Sequence, residues 1–176
     1  MAAKLQFADL EQVGPDTPAG RYLRLFWQPL LRSKDVAPLH AKPVEMLGEK
    51  FTVYRGENGK CHVVEARCAH RACPLSLGWV EGDSLRCRYH GWRYDHTGQC
   101  VEQPAEEVSY ADRVKIRVYP AREYVGLIFA FVGEGEAPPF RQYPDFDRPG
   151  VIVTDPPEVL PCTFWNKLDN DHAHVP

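Results

Sequence analysis

Two short cysteine–histidine pairs constrain what this chain can fold into more than any other feature of its sequence. Cys68 and His70 form a C-x-H pair, and Cys87 and His90 form a C-x-x-H pair further along the chain. If the four side chains act together, two separate loops of the fold must meet at one point. A zinc site, an iron–sulfur cluster, a disulfide beside unrelated histidines and a coincidence are the explanations to compare.

The spacing within each pair bears on the choice of metal. Ligands of structural zinc sites are commonly separated by two to four residues, and the C-x-H pair is tighter than that. In one kind of [2Fe-2S] centre, two cysteines hold one iron and two histidines hold the other, and one pair from each loop supplies this division. Gly78 and Gly91 permit close backbone approach, and Pro74 stiffens the first loop. Trp79 and Trp92 could exclude water on one side. The pattern favours the cluster and leaves zinc open.

Composition limits where such a site would be used. The net charge of -3 lacks the basic excess of a nucleic-acid-binding protein. No apolar run approaches the roughly 18 residues that a membrane helix needs, and the N-terminus MAAKLQFADLEQVG has no apolar segment of the secretory type. We therefore predict a cytoplasmic protein without nucleic-acid or membrane partners. Structural disulfides are uncommon in that compartment, so the cysteines are interpreted as ligands and buried thiols.

The remaining patterns predict a mainly β fold that follows an N-terminal helix. Asp16 or Thr17 can cap a helix that has Pro18 in its first turn and stops before Pro29. Segments rich in β-branched and aromatic residues then predict antiparallel strands: PVEMLG, KFTVYR, CHVVEAR, SLRCR, WRYD, VKIRVYPAR (114–122) and YVGLIFAFVG (124–133). An Asn58-Gly59 turn joins KFTVYR to CHVVEAR as a hairpin. The almost wholly apolar last segment is predicted to be a central, buried strand.

A change of composition after residue 133 predicts a domain boundary. The stretch GEGEAPPFRQYPDFDRPG is rich in proline and has no periodicity, so residues 134–150 are interpreted as a linker. VIVTD and VLPCTFW then predict new strands, and NKLDNDHAHVP predicts the start of a helix. We expect a helical segment at 1–40, a β domain at 41–133, and at 151–176 the incomplete beginning of a second domain.

The central motif resembles the Rieske domain of Rieske non-haem iron oxygenases. The resemblance rests on C-x-H-R-x-x-x-L-S-x-G followed by C-x-Y-H-G-W-x-Y, from Cys68 to Tyr94. The flanks GRYLRLFWQPL and DRVKIRVYP are most similar to the phthalate-dioxygenase-type, single-subunit members. The resemblance implies an antiparallel Rieske [2Fe-2S] domain followed by an α+β catalytic domain. It also implies that Cys68, His70, Cys87 and His90 are the cluster ligands.

Cys73 distinguishes between branches of this resemblance. Rieske proteins of respiratory complexes carry an extra cysteine at this position, and its disulfide partner lies two residues after the second ligand cysteine. Tyr89 stands there in this chain, so that disulfide cannot form and the oxygenase branch is favoured. Cys73 is predicted to be a buried thiol, as are Cys61, Cys100 and Cys162.

The resemblance also implies a mononuclear Fe(II) held by two histidines and a carboxylate. The tail offers two registers for the start of that site. In the favoured one, Asp171 is the aspartate that links the two metal sites and His174 is an iron ligand. In the alternative register these roles fall to Asp169 and His172. Either register puts the second histidine beyond Pro176, so the chain is expected to be a fragment or part of a longer polypeptide.

The function that the resemblance implies is that of an oxygenase component, with O2 as a substrate. Electrons would reach the cluster from a separate reductase, directly or through a ferredoxin, because no nucleotide motif is present. They would pass to the mononuclear iron, in a neighbouring subunit of a homotrimer, for hydroxylation or demethylation of an aromatic or related small molecule. A stand-alone electron carrier of the Rieske ferredoxin type is the alternative.

Charged and titratable residues near the motif have two possible uses. Five arginines around the ligands could dock an acidic electron-transfer partner or form a solvated charged face: Arg67, Arg71, Arg86, Arg88 and Arg93. Three further histidines lack ligand spacing and are predicted to lie on the surface: His40, His62 and His96.

Overall fold

The structure is a computed structural model that describes residues 7–155, 161–162 and 166–167. It is mainly β, as expected, with eleven strands in three sheets and every strand pair antiparallel. No helix of this part of the chain is long and apolar enough to cross a bilayer. The cytoplasmic location remains a prediction.

The N-terminal segment contains two short helices, α1 (Phe7–Glu11) and α2 (Pro18–Leu23). The side-chain oxygen of Thr17 caps α2 by accepting a hydrogen bond from the Gly20 amide at 3.0 Å, as the sequence predicted. The prediction that the helix continues towards Pro29 is wrong. Helix α2 ends at Leu23, and Pro29 lies inside the first strand, β1 (Trp27–Arg32). Proline lacks an amide donor and is tolerated in β1, which lies at the edge of its sheet.

The central sheet has the order β2-β3-β4-β9. Its strands are β2 (Ala41–Met46), β3 (Glu49–Arg55), β4 (Cys61–Glu65) and β9 (Val118–Tyr119). The hairpin predicted around Asn58-Gly59 joins β3 to β4, and Gly59 adopts a φ of +80°. Residues 51–54 of β3 are all buried, because both faces of this sheet are covered.

The two faces of the central sheet contact two separate cores. The first, which we call the scaffold core, lies between the central sheet and the sheet β1-β11-β10: Leu30, Leu31, Val36, Phe51, Val53, Val63, Tyr119, Ile128, Ala130 and Val132. The second, which we call the ligand core, contains two of the motif cysteines: Tyr54, Val64, Cys68, Leu75, Val80, Leu85, Cys87, Trp92, Tyr94, Cys100, Ala111 and Ile116. Alternate side chains of β3 and β4 therefore serve different cores.

The third sheet carries the motif and is built from very short strands in sequential order. They are β5 (Trp79–Glu81), β6 (Ser84–Arg86), β7 (Arg93–Tyr94) and β8 (Cys100–Glu102). A 3₁₀ turn at Leu75–Leu77 connects the first cysteine–histidine loop to β5. The second cysteine–histidine pair lies at the tip of the β6–β7 hairpin.

The last strands differ in detail from the expectation. The segment predicted as one strand over 114–122 divides into β9 and β10 (Ala121–Tyr124), with Pro120 between them. The segment 124–133 contains β11 (Leu127–Phe131), which is central in its sheet as predicted, whereas Val125 and Gly126 form the turn before it.

The segment after β11 contains one 3₁₀ turn, Pro144–Asp147. The predicted strand VIVTD is wrong, since residues 151–155 pair with no strand of the described chain, and Val151 is 89% exposed. The predicted strand VLPCTFW lies almost wholly outside the described residues, as does most of NKLDNDHAHVP. The boundaries of the linker and of the two domains stay predictions.

Candidate metal centre

The first cysteine–histidine pair lies in a tight loop between β4 and the 3₁₀ turn. The amide of Cys68 donates to the carbonyl of Cys73, and the amide of Ala72 donates back to Cys68, both at 2.9 Å. Ala72 closes the loop in the left-handed region with a φ of +52°. The backbone thus holds Cys68 buried while His70 remains partly exposed.

The second pair lies in a similar loop at the tip of the β6–β7 hairpin. The amide of Cys87 donates to the carbonyl of Trp92 at 2.8 Å, and the amide of Gly91 donates to Cys87 at 3.1 Å. Gly91 adopts a φ of +75°, and a Cβ there would lie 3.1 Å from the ring of Pro104. Only glycine fits this position without strain, which explains the glycine after His90.

The two loops bring the four side chains together as two like pairs. Cys68 and Cys87 are both buried in the ligand core, and Cys87 is close enough to affect the ionisation of Cys68. The Nδ1 atoms of His70 and His90 face each other at 3.0 Å. Nitrogen ligands about 2.0–2.1 Å from one metal ion would have a separation of this order.

Aromatic rings cover both histidines. Trp92 stacks on His70 with centroids 4.5 Å apart and an interplanar angle of 5°. Tyr89 stacks on His90 at 3.7 Å and 27°. Trp92 is buried, as expected of a residue that excludes water. Trp79 is 54% exposed, so the prediction that it excludes water from the site is wrong.

Tyr94 contacts a candidate ligand, and sequence reasoning did not identify this contact. Its hydroxyl lies 3.1 Å from the sulfur of Cys68, and both residues are buried. Burial and the adjacent Cys68 raise the pKa of Tyr94, so it remains a hydrogen-bond donor at neutral pH. The tyrosine at the end of C-x-Y-H-G-W-x-Y was the available signal, but its use depends on the β6–β7 pairing that turns it towards Cys68.

Ionisation of the candidate ligands follows from their surroundings. Burial raises the pKa of the Cys68 thiol, although the hydrogen bond from Tyr94 opposes that shift. Desolvation and then the charges of His90 and Arg71 lower the pKa of His70 below 6.5. A neutral imidazole is the form that binds a metal, and metal binding to the thiols would release protons.

The arginines predicted as a docking surface divide into two groups. Arg86 pairs with Glu81 and Glu102, and Arg93 lies 3.0 Å from Glu102, so the charges of these two arginines are paired within the chain at its partly exposed surface. The guanidinium of Arg67 donates to the carbonyl of Ala72 in the first loop, although the residue is exposed. Arg71 and Arg88 are exposed and form no ion pair within the described residues.

The other cysteines only partly match the expectation of buried thiols. All six cysteines are free: Cys61, Cys68, Cys73, Cys87, Cys100 and Cys162. Cys100 is buried, Cys61 and Cys73 are half-buried, and Cys162 is exposed, which corrects its prediction. Burial and the nearby Glu123 raise the pKa of Cys61 to about 12.

The other histidines are placed as expected with one exception. His40 and His96 are exposed, whereas His62 is half-buried and stacks on Tyr54 with centroids 5.0 Å apart. The prediction that His62 is a surface residue is therefore wrong. Its position opposite Tyr54 in the β3–β4 register places its ring over the buried tyrosine.

The candidate residues for a mononuclear iron cannot be placed. Asp171 and His174, and the alternative pair Asp169 and His172, lie outside the described residues. Their assignment therefore stays a prediction.

The side chains in the two loops fit a [2Fe-2S] cluster of mixed ligation. The two thiols share one buried core and the two imidazoles meet at the partly exposed end of the loops, which matches a centre with one iron in each environment. In the part of the chain that the structure describes, no group of three or more histidine, cysteine, aspartate or glutamate side chains is arranged to hold a single metal ion. The buried indole N–H of Trp92 also has no acceptor there. Buried donors are nearly always paired, so this donor suits a site whose acceptor is a bound group.

Comparisons with known proteins agree with this geometry. Residues 26–120 match the Rieske [2Fe-2S] domain family. The oxygenase subunit of 5,5'-dehydrodivanillate O-demethylase from Sphingobium sp. is 34% identical over 92% of this chain and 39% of that protein. The oxygenase subunit of tert-butanol monooxygenase / tert-amyl alcohol desaturase from Aquincola tertiaricarbonis is 32% identical over 95% of this chain and 37% of that protein.

A solved structure shares the fold at low sequence identity. A crystal structure of dicamba monooxygenase with non-heme iron and dicamba matches with a TM-score of 0.66 and 23% identity, over 73% of this chain and 40% of that one. The chain thus spans about two-fifths of the length of these three proteins.

Proposed function

The chain belongs to the Rieske [2Fe-2S] domain family, and we propose that it is the electron-accepting part of an oxygenase component of the Rieske non-haem iron type. A domain of this family implies a [2Fe-2S] cluster. We assign Cys68 and Cys87 as ligands of one iron and His70 and His90 as ligands of the other.

One observation carries this proposal: four side chains from two distant loops meet as two like pairs. The cysteines are buried in the ligand core, while the histidines meet at the partly exposed end of the loops. A single zinc ion would need four ligands around one point. A two-iron cluster needs the separation into thiolate and imidazole environments that these loops provide.

The residues around the ligands have distinct roles in this proposal. When bound, the cluster takes up and releases one electron at a time. The hydroxyl of Tyr94 donates towards the sulfur of Cys68, which stabilises negative charge at that end. Trp92 and Tyr89 cover the faces of the two imidazoles and fix their orientation. The edge of the site nearest solvent is therefore the histidine edge, where an electron donor would approach.

We further propose that electrons leave for a mononuclear Fe(II) site that activates O2. Asp171 is assigned as the residue that links the two sites and His174 as an iron ligand, with Asp169 and His172 as the alternative register. The alignment with the O-demethylase subunit covers 92% of this chain, so it extends beyond the residues that match the Rieske domain family. The dicamba monooxygenase structure, which shares the fold, contains a non-heme iron.

The substrate class, the electron donor and the oligomeric state are also part of this proposal. The names of the two oxygenase-subunit relatives support O-demethylation or monooxygenation of a small molecule, and we propose an aromatic or related one. We propose a reductase, with or without a ferredoxin, as the electron donor, and a homotrimer in which the two metal sites belong to neighbouring subunits. Arg71 and Arg88 remain the candidates for contact with an acidic donor, since both are exposed.

Metal and sulfide analysis of the full-length protein tests the proposal. We expect three irons and two sulfides per chain, and a rhombic electron paramagnetic resonance signal after reduction. Two irons and two sulfides, with the same signal, would instead identify a stand-alone electron carrier. Bound zinc without sulfide and without that signal would contradict both functions.

A further inference from the structure

The guanidinium of Arg86 is saturated with hydrogen bonds. Its Nε and Nη2 atoms donate to the two carboxylate oxygens of Glu81 at 2.7 and 2.9 Å. Its Nη1 and Nη2 atoms donate to the two oxygens of Glu102 at 3.1 and 2.9 Å. Its Nη1 atom also donates to the carbonyl oxygen of Gly91 at 2.8 Å. These bonds use all five N–H groups that an arginine has.

These bonds join three segments of the ligand-bearing sheet. Arg86 ends β6 and immediately precedes Cys87, while Gly91 immediately follows His90. One side chain therefore connects the start of the second ligand loop with its end. Glu81 ends β5, the strand that continues from the first ligand loop, and Glu102 ends β8.

Apart from Arg86, the second ligand loop has few hydrogen-bonding restraints, and its packing restraint comes from Cys87 and Trp92, which are buried in the ligand core. Its own backbone supplies the bonds from Cys87 to Trp92 and from Gly91 to Cys87. No disulfide links it to the first loop, because all six cysteines of the chain are free. The strands on either side of it, β6 and β7, have only three and two residues. Backbone pairing alone is thus a small restraint on a loop that carries two candidate ligands.

We propose that Arg86, held by Glu81 and Glu102, is the positioning residue of the second ligand loop. It fixes Cys87 and His90 relative to Cys68 and His70, and it does so without contacting the metal. This inference rests on the proposed function, which assigns Cys87 and His90 as cluster ligands. The positioning itself is argued from the hydrogen bonds of Arg86 described above. A lysine could not replace Arg86, because a single ammonium cannot present the planar fork that bonds two carboxylates and a carbonyl together.

Arg55 provides a matched control in the same chain. It also forms a bidentate pair with Glu123, and it donates to the carbonyls of Val36, Ser33 and Gly59. Loss of Arg55 therefore removes as many bonds as loss of Arg86. None of the Arg55 partners belongs to either ligand loop.

The first experiment measures cluster retention in the holoprotein with Arg86→Met, Arg86→Lys and Arg55→Met. We expect Arg86→Met to accelerate iron release to a chelator by about tenfold or more, since it removes a charge-assisted bond to the loop. Its reduced resonance signal should broaden or shift. Arg86→Lys should show an intermediate release rate, and Arg55→Met should match the unsubstituted protein in both readouts. Equal behaviour of the Arg86→Met and Arg55→Met proteins would overturn the proposal.

The second experiment measures hydrogen exchange by mass spectrometry and needs no cluster. Arg86→Met should increase exchange in residues 87–92 but not in residues 68–73, whereas a general loss of stability would increase both. If Arg86→Met does not fold, the same comparison with Arg86→Lys and Glu81→Gln decides the matter. An unsubstituted protein without any cluster would refute the proposed function, while the exchange pattern would still support or refute the role of Arg86.

Discussion

The scaffold core and the ligand core are stabilised in different ways, although they share β3 and β4. The scaffold core consists of aliphatic and aromatic side chains between strands of up to seven residues. The ligand core contains three cysteines and lies against strands of two or three residues. Burial of apolar area is the dominant stabilisation in the first. The second depends on tight loops, a saturated arginine and, in our proposal, a bound cluster.

In our proposal, this difference separates the region that stabilises the fold from the region that holds the cluster. A well-packed antiparallel scaffold tolerates a neighbouring region with little regular structure, because the central sheet is already covered on its other face. The ligand loops can then be built for the site and not for stability. Substitutions in the scaffold core should therefore change stability without changing the cluster, and substitutions of ligand-core residues that contact the candidate ligands should change the cluster.

The largest expected effect is the loss of the cluster from a protein that still folds. Cys68→Ser removes one candidate ligand, and we expect the visible absorbance and the resonance signal of the cluster to disappear. The far-ultraviolet circular dichroism should still report a β protein, because the scaffold core does not contain Cys68.

Cys73→Ser is the matched control for this experiment. Cys73 lies in the same loop and packs against the edge of the ligand core, and its sulfur lies 3.9 Å from the carbonyl of Pro74. The Cys73→Ser protein should keep a full cluster. If Cys68→Ser also abolished the β spectrum, the two cores would not be independent and the comparison would fail.

The opposite experiment weakens the scaffold core. Phe51 is 1% exposed and packs against Tyr119 with centroids 5.0 Å apart. Phe51→Ala should lower the free energy of unfolding by about 3–5 kcal/mol, as for other buried aromatic truncations. The folded fraction should retain the resonance signal of the unsubstituted protein.

Val108→Ala, at an 82% exposed position, serves as the control and should change stability by less than about 0.5 kcal/mol. Denaturant unfolding followed by circular dichroism measures both variants. A changed resonance signal in folded Phe51→Ala protein would mean that strain passes through the central sheet to the ligands.

A smaller effect is expected where the ligand core touches the candidate cluster. Tyr94→Phe removes the hydroxyl 3.1 Å from the Cys68 sulfur and should lower the reduction potential, because the reduced form has more negative charge for the donor to stabilise. A loss of about 1 kcal/mol corresponds to roughly 40 mV for one electron.

Tyr54→Phe is the matched control for the potential measurement. Tyr54 belongs to the same core, but its hydroxyl donates to the carbonyl of Asp83 at 3.2 Å and touches no candidate ligand. Its removal should cost stability and leave the potential unchanged. Equal shifts in the two variants would show that the hydroxyl of Tyr94 has no special role.

The same contrast explains what the sequence could predict. Alternating and continuous apolar patterns are local signals, so the hairpin around Gly59 and the central position of β11 follow from them. The four candidate ligands were also predicted from spacing, since two loops each carry one cysteine and one histidine, and their assignment stays a prediction. The structure brings these pairs together as that spacing requires.

The errors have physical causes that no local pattern contains. β1 includes Pro29, which is tolerated only because that strand lies at a sheet edge. VIVTD has the composition of a strand, but within the described chain it has no partner. Arg86 was grouped with exposed arginines because its partners Glu81 and Glu102 approach it only through the pairing of β5 to β8.

The smallest expected effect is a pH-dependent change of stability at His62, on β4. Burial, followed by the charge of His96, lowers the pKa of His62 below 6.5, and its Nε2 atom has no partner within the described residues. Above that pH the imidazole is neutral in both the folded and unfolded chain. As the pH falls below 6.5, the unfolded chain binds a proton that the folded one does not, so stability decreases until the lowered folded pKa is reached.

The His62→Phe protein should lose less stability between pH 7 and pH 5 than the unsubstituted protein, because phenylalanine keeps the ring over Tyr54 without a titrating group. Denaturant midpoints at several pH values measure the difference. His40→Gln, at an exposed position, should follow the unsubstituted protein. If the denaturant midpoints of His62→Phe and His40→Gln depend on pH in the same way, then His62 does not contribute to the pH dependence of stability. If only His62→Phe differs from the unsubstituted protein, then a group in the central sheet, between the two cores, titrates as the protein unfolds.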